Sequence, residues 1–187
     1  TVGLVVLATP IVALIFERGQ FSTTDTANTA AALIFYAPGL VGYSAVKMAV
    51  PSLYALKDSR TPVMVSMATM IFNVGLNVAL VQVMSFRGLA LGTAISAIGN
   101  AAILLWVLRG RLGGLDGRRI SLAIGKIAVA SALMGLAAWG TDWAIAIRLP
   151  SHSLPVLALR VGVSIGVALV VLDIAARAID IEEFVEA

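Results

Sequence analysis

Long apolar runs broken by short polar clusters set the pattern of this chain. A bilayer core takes about 20 apolar residues per helix. Scanning at that length predicts six spans, at about 2–16, 23–56, 62–84, 88–108, 121–147 and 155–176. No segment shows the alternation of a strand, so the expected fold is all-α, a polytopic transmembrane helix bundle. The second segment would reach about 50 Å at 1.5 Å per residue. That is long for one straight span, and Pro38-Gly39 and Pro51 predict a kinked or broken helix. Ser22 followed by Asp25 is a capping-box pattern for its start. Thr61-Pro62 restarts the chain, with threonine expected as cap and proline at the first helical position. Ser85-Phe86-Arg87-Gly88 reads as a tight turn. "RGRLGGLDGRR" at 109–119 reads as a Gly-rich basic loop, and "RLPSHSLP" as a second loop. The closing "RAIDIEEFVEA" is expected to be an acidic interfacial tail.

Composition strengthens the membrane reading. Of 187 residues, 60% are hydrophobic and only 12% charged, with a mean hydropathy of +1.00. A soluble domain carries about 25% charged residues. There is no cysteine and a single histidine, His152, which removes disulfides, thiolate metal sites and histidine-based metal clusters from consideration. The net charge of +3 does not imply nucleic acid, because basic residues sit in short loops without interleaved aromatics. Thr1 already lies inside an apolar run with no charged leader before it. Residues 1–187 are therefore expected to be a transmembrane lobe cut from the C-terminal part of a longer protein. Lys57, Arg60, Arg109, Arg111, Arg118, Arg119 and Arg177 fall on one side of the predicted topology, and Arg18, Arg87 and Arg148 on the other. The positive-inside rule then puts the 57–61 loop, the 109–119 loop and the C-terminus in the cytoplasm.

Polar residues at membrane depth are the candidates for chemistry. Lys47 lies ten residues before the charged cluster, about 15 Å along a helix. A lysine there faces either a cavity with an anionic substrate or a structural partner. Ser66, Asn73 and Asn77 share one helix face, as do Thr93, Ser96 and Asn100 on the next span. These stripes can meet at matching depth, either as interhelical hydrogen-bond glue or as a small cation site. Gly88-xxx-Gly92 and Gly162-xxx-Gly166 permit close helix contact. Arg160, one turn inside the sixth span, is expected to reach headgroups or an anionic lipid group, and Asp173 to pair with Arg177. Trp106, Trp139 and Trp143 sit where aromatic belts are expected.

The succession "LIFERGQFSTTDT", "VKMAVPSLYALKDSRTPV" and "FRGLALGTAIS" resembles the C-terminal region of the lipid II flippases (MurJ/MviN), in the multidrug/oligosaccharidyl-lipid/polysaccharide exporter superfamily. The middle block carries the most specific part of the likeness, through Lys47, Pro51, Tyr54, Asp58, Arg60, Thr61 and Pro62. The resemblance implies the last six of fourteen spans, packed in life against an N-terminal lobe. It implies alternating-access flipping of undecaprenyl-pyrophosphate-linked peptidoglycan precursor across the bacterial inner membrane, with precursor and membrane lipids as partners. It implies no catalysis, and no cofactor beyond a sodium ion that some members bind in this lobe. The positions matching that ion site are Asn73, Asn77, Thr93 and the Leu89 carbonyl. Asn77 stands where sodium-binding members carry an aspartate. Lys47 and Arg160 are the residues expected to meet substrate or cavity. Two other readings remain open: a cation-coupled drug or polysaccharide exporter of the same superfamily, and, more remotely, a polytopic enzyme of lipid-sugar metabolism. The latter would need clustered acids or histidines at the membrane face.

Overall fold

The computed structural model describes residues 1–114, 117–149 and 154–178. Its helices are α1 (Val2–Val6), α2 (Ala8–Phe16), α3 (Thr23–Tyr36), α4 (Gly39–Ala55), α5 (Arg60–Met84), α6 (Phe86–Arg111), α7 (Gly117–Arg148) and α8 (Leu154–Ala178). No strand occurs among the described residues. Five runs are long and apolar enough to cross a bilayer: Thr23–Ala55, Arg60–Met84, Phe86–Arg111, Ile120–Arg148 and Leu154–Ala178. The first expected span is instead two short helices parted at Leu7. The expected acidic tail and His152 lie outside the described residues.

Local chemistry explains the boundaries. The Ser22 amide and hydroxyl both donate to the Asp25 carboxylate, and the Asp25 amide donates back to Ser22 Oγ. This is the expected capping box at the start of α3. Pro38 heads α4, where the Leu40 and Val41 amides turn to the Ala37 and Pro38 carbonyls. Pro51 stays inside α4, where, lacking an N–H, it gives the Lys47 carbonyl no helical partner. The cap of α5 differs from expectation. Asp58, not Thr61, supplies the side chain: it accepts from the Thr61 amide at 3.1 Å and the Thr61 hydroxyl at 2.7 Å. The carboxylate offers one oxygen to each Thr61 donor, Oδ1 to the amide and Oδ2 to the hydroxyl, and the helix begins earlier, at Arg60. Pro62 is buried in the first turn.

The chain divides into two compact units. Unit 1 comprises Thr1 and Ala31–Leu115; unit 2 comprises Val2–Ala30 and Asp116–Ala187. In unit 1, α6 is central and packs on α4 and α5. Small residues let the backbones approach. A Cβ on Gly42 would stand 2.6 Å from the Ala97 carbonyl carbon, and one on Gly39 2.8 Å from Ala94 Cα. Further along the α4–α6 seam, Ala49, Leu53, Leu104 and Leu108 form a small core. Gly88 and Gly92 abut Leu80 and Asn77 of α5, so that glycine pair does mark a close contact. Gly162 and Gly166 meet nothing within 4 Å; they mark none among the described residues.

Unit 2 is built on the α7–α8 hairpin, with α1 against α7 and α2 against α8. Leu7, Ala138 and Ala168 form one core cluster, and Ala130, Ala175 and Ala176 another. The Glu17 carboxylate accepts a 2.9 Å hydrogen bond from the buried Thr26 hydroxyl, tying the turn after α2 to α3.

Candidate functional site

Two polar features of unit 1 carry the candidate chemistry. The first is the seam between α5 and α6. Asn77 Nδ2 donates to Asn73 Oδ1 at 3.1 Å, and Asn73 Nδ2 donates to Ser96 Oγ at 3.1 Å. The two expected stripes therefore meet across the hairpin. Tyr43 of α4, Ser66 and Asn73 of α5, and Thr93, Ser96 and Asn100 of α6 line a hollow of about 220 Å³. The Asn77 and Asn100 side-chain oxygens are buried without a donor. An orphaned buried acceptor costs about 1–3 kcal/mol, so these two atoms mark where the seam is incomplete.

The four expected cation ligands are oxygen donors of the kind sodium takes, but they are not equally available. Asn73 Oδ1 already accepts from Asn77, and the Leu89 carbonyl already accepts from the Thr93 hydroxyl at 2.8 Å. Only Asn77 Oδ1 is both buried and uncommitted, and it faces Gly92. The one acid in residues 31–115 is Asp58, beyond the end of α4. The Asn100 oxygen lies eight residues from Gly92 along α6, about 12 Å by helical rise, too far to join Asn77 around one ion. As arranged, the seam is a neutral hydrogen-bond ladder.

The second feature is the exposed face of α4. Gly39, Gly42, Ala49 and Leu53 are buried against α6, while Tyr43, Lys47, Met48, Pro51 and Tyr54 lie on the open side. Lys47 has no hydrogen-bond or ion-pair partner among the described residues. It stands one turn from Tyr43, which lines the polar hollow. Tyr54 and Arg60 line a separate open hollow of about 510 Å³.

Where α4 gives way to α5, Asp58 also accepts from Arg111 at 2.9 Å, joining the loop to the end of α6. The Thr61 hydroxyl and amide, together with Arg111, hold the Asp58 carboxyl below the usual carboxylate range.

Unit 2 places Arg160 differently from expectation. Its guanidinium grips Asp142 of α7, with contacts of 3.1, 2.9 and 3.0 Å, and the side chains are only 16% and 19% exposed. A fork-like pair of this kind satisfies both charges inside the hairpin, so Arg160 does not extend freely toward headgroups. Hairpin depth places Asp142 opposite Arg160, as it places Asn77 near Thr93. Asp142 lies six residues before the end of α7, and Arg160 six after the start of α8. The expected Asp173–Arg177 pair forms, at 3.0 Å. Trp139 and Trp143 stack at 6.4 Å and are largely exposed, as belt residues are.

Comparison with known proteins gives a consistent picture. Residues 1–168 match the family model described as "Lipid II flippase MurJ". The chain is 36% identical over 104 residues to a "Probable lipid II flippase MurJ" of Rickettsia prowazekii, covering 56% of this chain and 20% of that protein. Its counterpart from Vibrio cholerae is 32% identical over 143 residues, covering 75% and 27%. The one from Rhizobium meliloti is 33% identical over 144 residues, covering 75% and 26%. The chain thus spans only 20–27% of the length of these curated relatives.

Proposed function

The chain belongs to the lipid II flippase MurJ family, and on that premise we propose that it is the C-terminal lobe of a transporter that flips lipid II. The cargo is the undecaprenyl-pyrophosphate-linked precursor of peptidoglycan, and the membrane is the bacterial inner membrane, with the C-terminus cytoplasmic. The chain is a multi-pass membrane protein by its five apolar helices and its family. The matching family and the relatives are described as lipid II flippases, not as drug exporters or enzymes of lipid-sugar metabolism.

The observation that carries the proposal is Lys47. An ammonium midway along an apolar helix costs about 2.5–3.5 kcal/mol unless water or an anion meets it. Lys47 is exposed and has no hydrogen-bond or ion-pair partner among the described residues. Facing the cavity against the N-terminal lobe, it supplies positive potential where a pyrophosphate passes. Alternating access then needs no covalent step from this chain. It needs a cation whose counter-charge is the cargo, on a helix softened by Pro51 at the level of Lys47. The test is Lys47→Ala in the full-length protein, scored by rescue of cells depleted of their flippase. Rescue is expected to fail at normal expression; normal growth would remove Lys47 from the mechanism.

One observation favours a second role for the seam. The buried Asn77 oxygen lacks a donor, and sodium held by Asn73, Asn77, Thr93 and the Leu89 carbonyl would satisfy it. Such an ion would couple cargo movement to a cation gradient. Asn73 Oδ1 and the Leu89 carbonyl each keep a second lone pair beside their present hydrogen bonds, and the Thr93 oxygen is only a donor there, but no carboxylate helps. On this reading Asn77→Asp raises the melting temperature of the full-length protein in sodium over potassium, while the native chain shows a smaller difference of the same sign. No sodium effect on either protein leaves the seam as glue.

A further inference from the structure

Lys57 closes α4 in a conformation that suits glycine. Its φ is 60°. The Lys57 amide donates to the Tyr54 carbonyl and the Asp58 amide to the Leu53 carbonyl, the bond pair of a Schellman turn. Any Cβ in this left-handed region is strained, so a cation is kept here against the local preference. Asp58 cannot neutralise it, because its carboxylate is committed to Thr61 and Arg111. Lys57, Arg60 and Arg109 are all exposed, with no ion-pair partner among the described residues. The Asp58–Arg111 bridge fastens the α4–α5 loop to the end of α6, which gathers these cations at one end of unit 1. Trp106, 75% exposed, stands one turn before Arg109 and Gly110. With Arg109, Arg111 and Gly113 it lines an open hollow of about 760 Å³.

We propose that this end of unit 1 is a binding site for the headgroup phosphate of an anionic phospholipid, held by Lys57, Arg60 and Arg109 with Trp106 as interfacial anchor. The ends of α4, α5 and α6 meet the headgroup layer if those helices cross the bilayer, and phosphate is the anion that layer supplies. Four cations around one committed acid leave a net positive surface with no counter-charge of its own. Clusters of this size at span ends attract anionic lipid, and tryptophan prefers this depth. The inference rests on the bilayer reading and is independent of what the protein transports.

The test uses the full-length protein in detergent, titrated with phosphatidylglycerol or phosphatidylcholine, with bound lipid counted by native mass spectrometry. Phosphatidylglycerol is expected to be retained in preference. Each of Lys57→Gln, Arg60→Gln and Arg109→Gln should weaken it about fivefold, and the triple variant about a hundredfold. Phosphatidylcholine retention should not change, and Arg109→Lys should bind like the native protein. Arg109 has no partner to lose, so Arg109→Gln reports binding without unfolding, with its melting temperature as control. Unchanged phosphatidylglycerol affinity in the triple variant overturns the site. So does equal retention of phosphatidylcholine. Displacement of the lipid by inorganic phosphate at matching concentration overturns the lipid assignment in favour of a free-anion site.

Discussion

In unit 2 Arg160 is clamped by Asp142 and Arg177 by Asp173, while Arg148 at the end of α7 has no ion-pair partner among the described residues. Residues 31–115 carry six basic residues against the single acid Asp58. Lys47, Lys57, Arg60 and Arg109 among them have no ion-pair partner among the described residues. The helix contacts differ in the same sense. Unit 2 joins α7 to α8 with a charged fork, whereas unit 1 joins α5 to α6 with neutral amides and a hydroxyl. An internal ion pair satisfies itself and leaves nothing for a ligand. Unpaired cations on one unit are what an anionic cargo or an anionic surface can use. The contrast assigns holding the hairpin to the Asp142–Arg160 pair of unit 2 and meeting outside anions to the unpaired cations of unit 1.

The sharpest way to break the contrast is to cut the fork. Asp142→Ala leaves a mostly buried guanidinium uncompensated, with an expected loss of about 3 kcal/mol. Thermal melting of the full-length protein in detergent reads it. Replacing both partners, as Asp142→Leu with Arg160→Met, should recover most of that loss, because the cost lies in the stranded charge rather than the missing bond. If the double variant melts as low as the single one, the fork does more than satisfy itself, and unit 2 resembles unit 1 in using its charges outward.

The corresponding cut in unit 1 is Asn73→Ala. It removes one interhelical hydrogen bond and strands Asn77 Nδ2. Interhelical bonds in bilayers average about 0.6 kcal/mol and reach about 1.7, so a shift well below that of Asp142→Ala is expected in the same melting assay. A loss as large as that of Asp142→Ala would mean that the amide ladder is the principal clasp of the hairpin.

These two sites also show what the chain discloses before folding. Five of the six expected spans match apolar helices to within a few residues because hydrocarbon imposes helix length, and the capping box at Ser22 and Asp25 was legible because it is local. The stripes around Asn73 and Ser96 were legible because helical period and hairpin depth together fix which side chains can meet. The same depth rule pairs Asp142 with Arg160, each six residues from the hairpin end of its helix. The break at Leu7 was legible too, because Pro10 has no N–H for the Val6 carbonyl and its ring crowds that turn. Two features were not legible. The transfer of the cap from Thr61 to Asp58 depends on a loop that turns through a left-handed lysine, against residue preference. The orientation of the Asn77 amide toward Gly92 arises from packing between helices, which spacing alone does not resolve.

The smallest expected effect concerns the one acid of unit 1. Thr61 and Arg111 hold the Asp58 carboxyl below its ordinary value in the folded chain. Its unfolded counterpart titrates at about 3.9. Folding therefore favours the ionised form, so Asp58 contributes stability that is fully present above the unfolded value and is lost as pH falls through the folded one. The sign is opposite to that of a group whose folded value is raised. The melting temperature of the full-length protein should thus drop on acidification below about pH 4. Other carboxylates contribute to that drop, so the informative quantity is the difference from Asp58→Asn, which retains an acceptor for Thr61 but cannot titrate. The native protein should be the more stable at neutral pH, and the gap should narrow in acid. A gap independent of pH would mean that the Asp58 charge does not cap α5 or hold Arg111, and the cations at that end of unit 1 would then include Arg111 as a fourth free one.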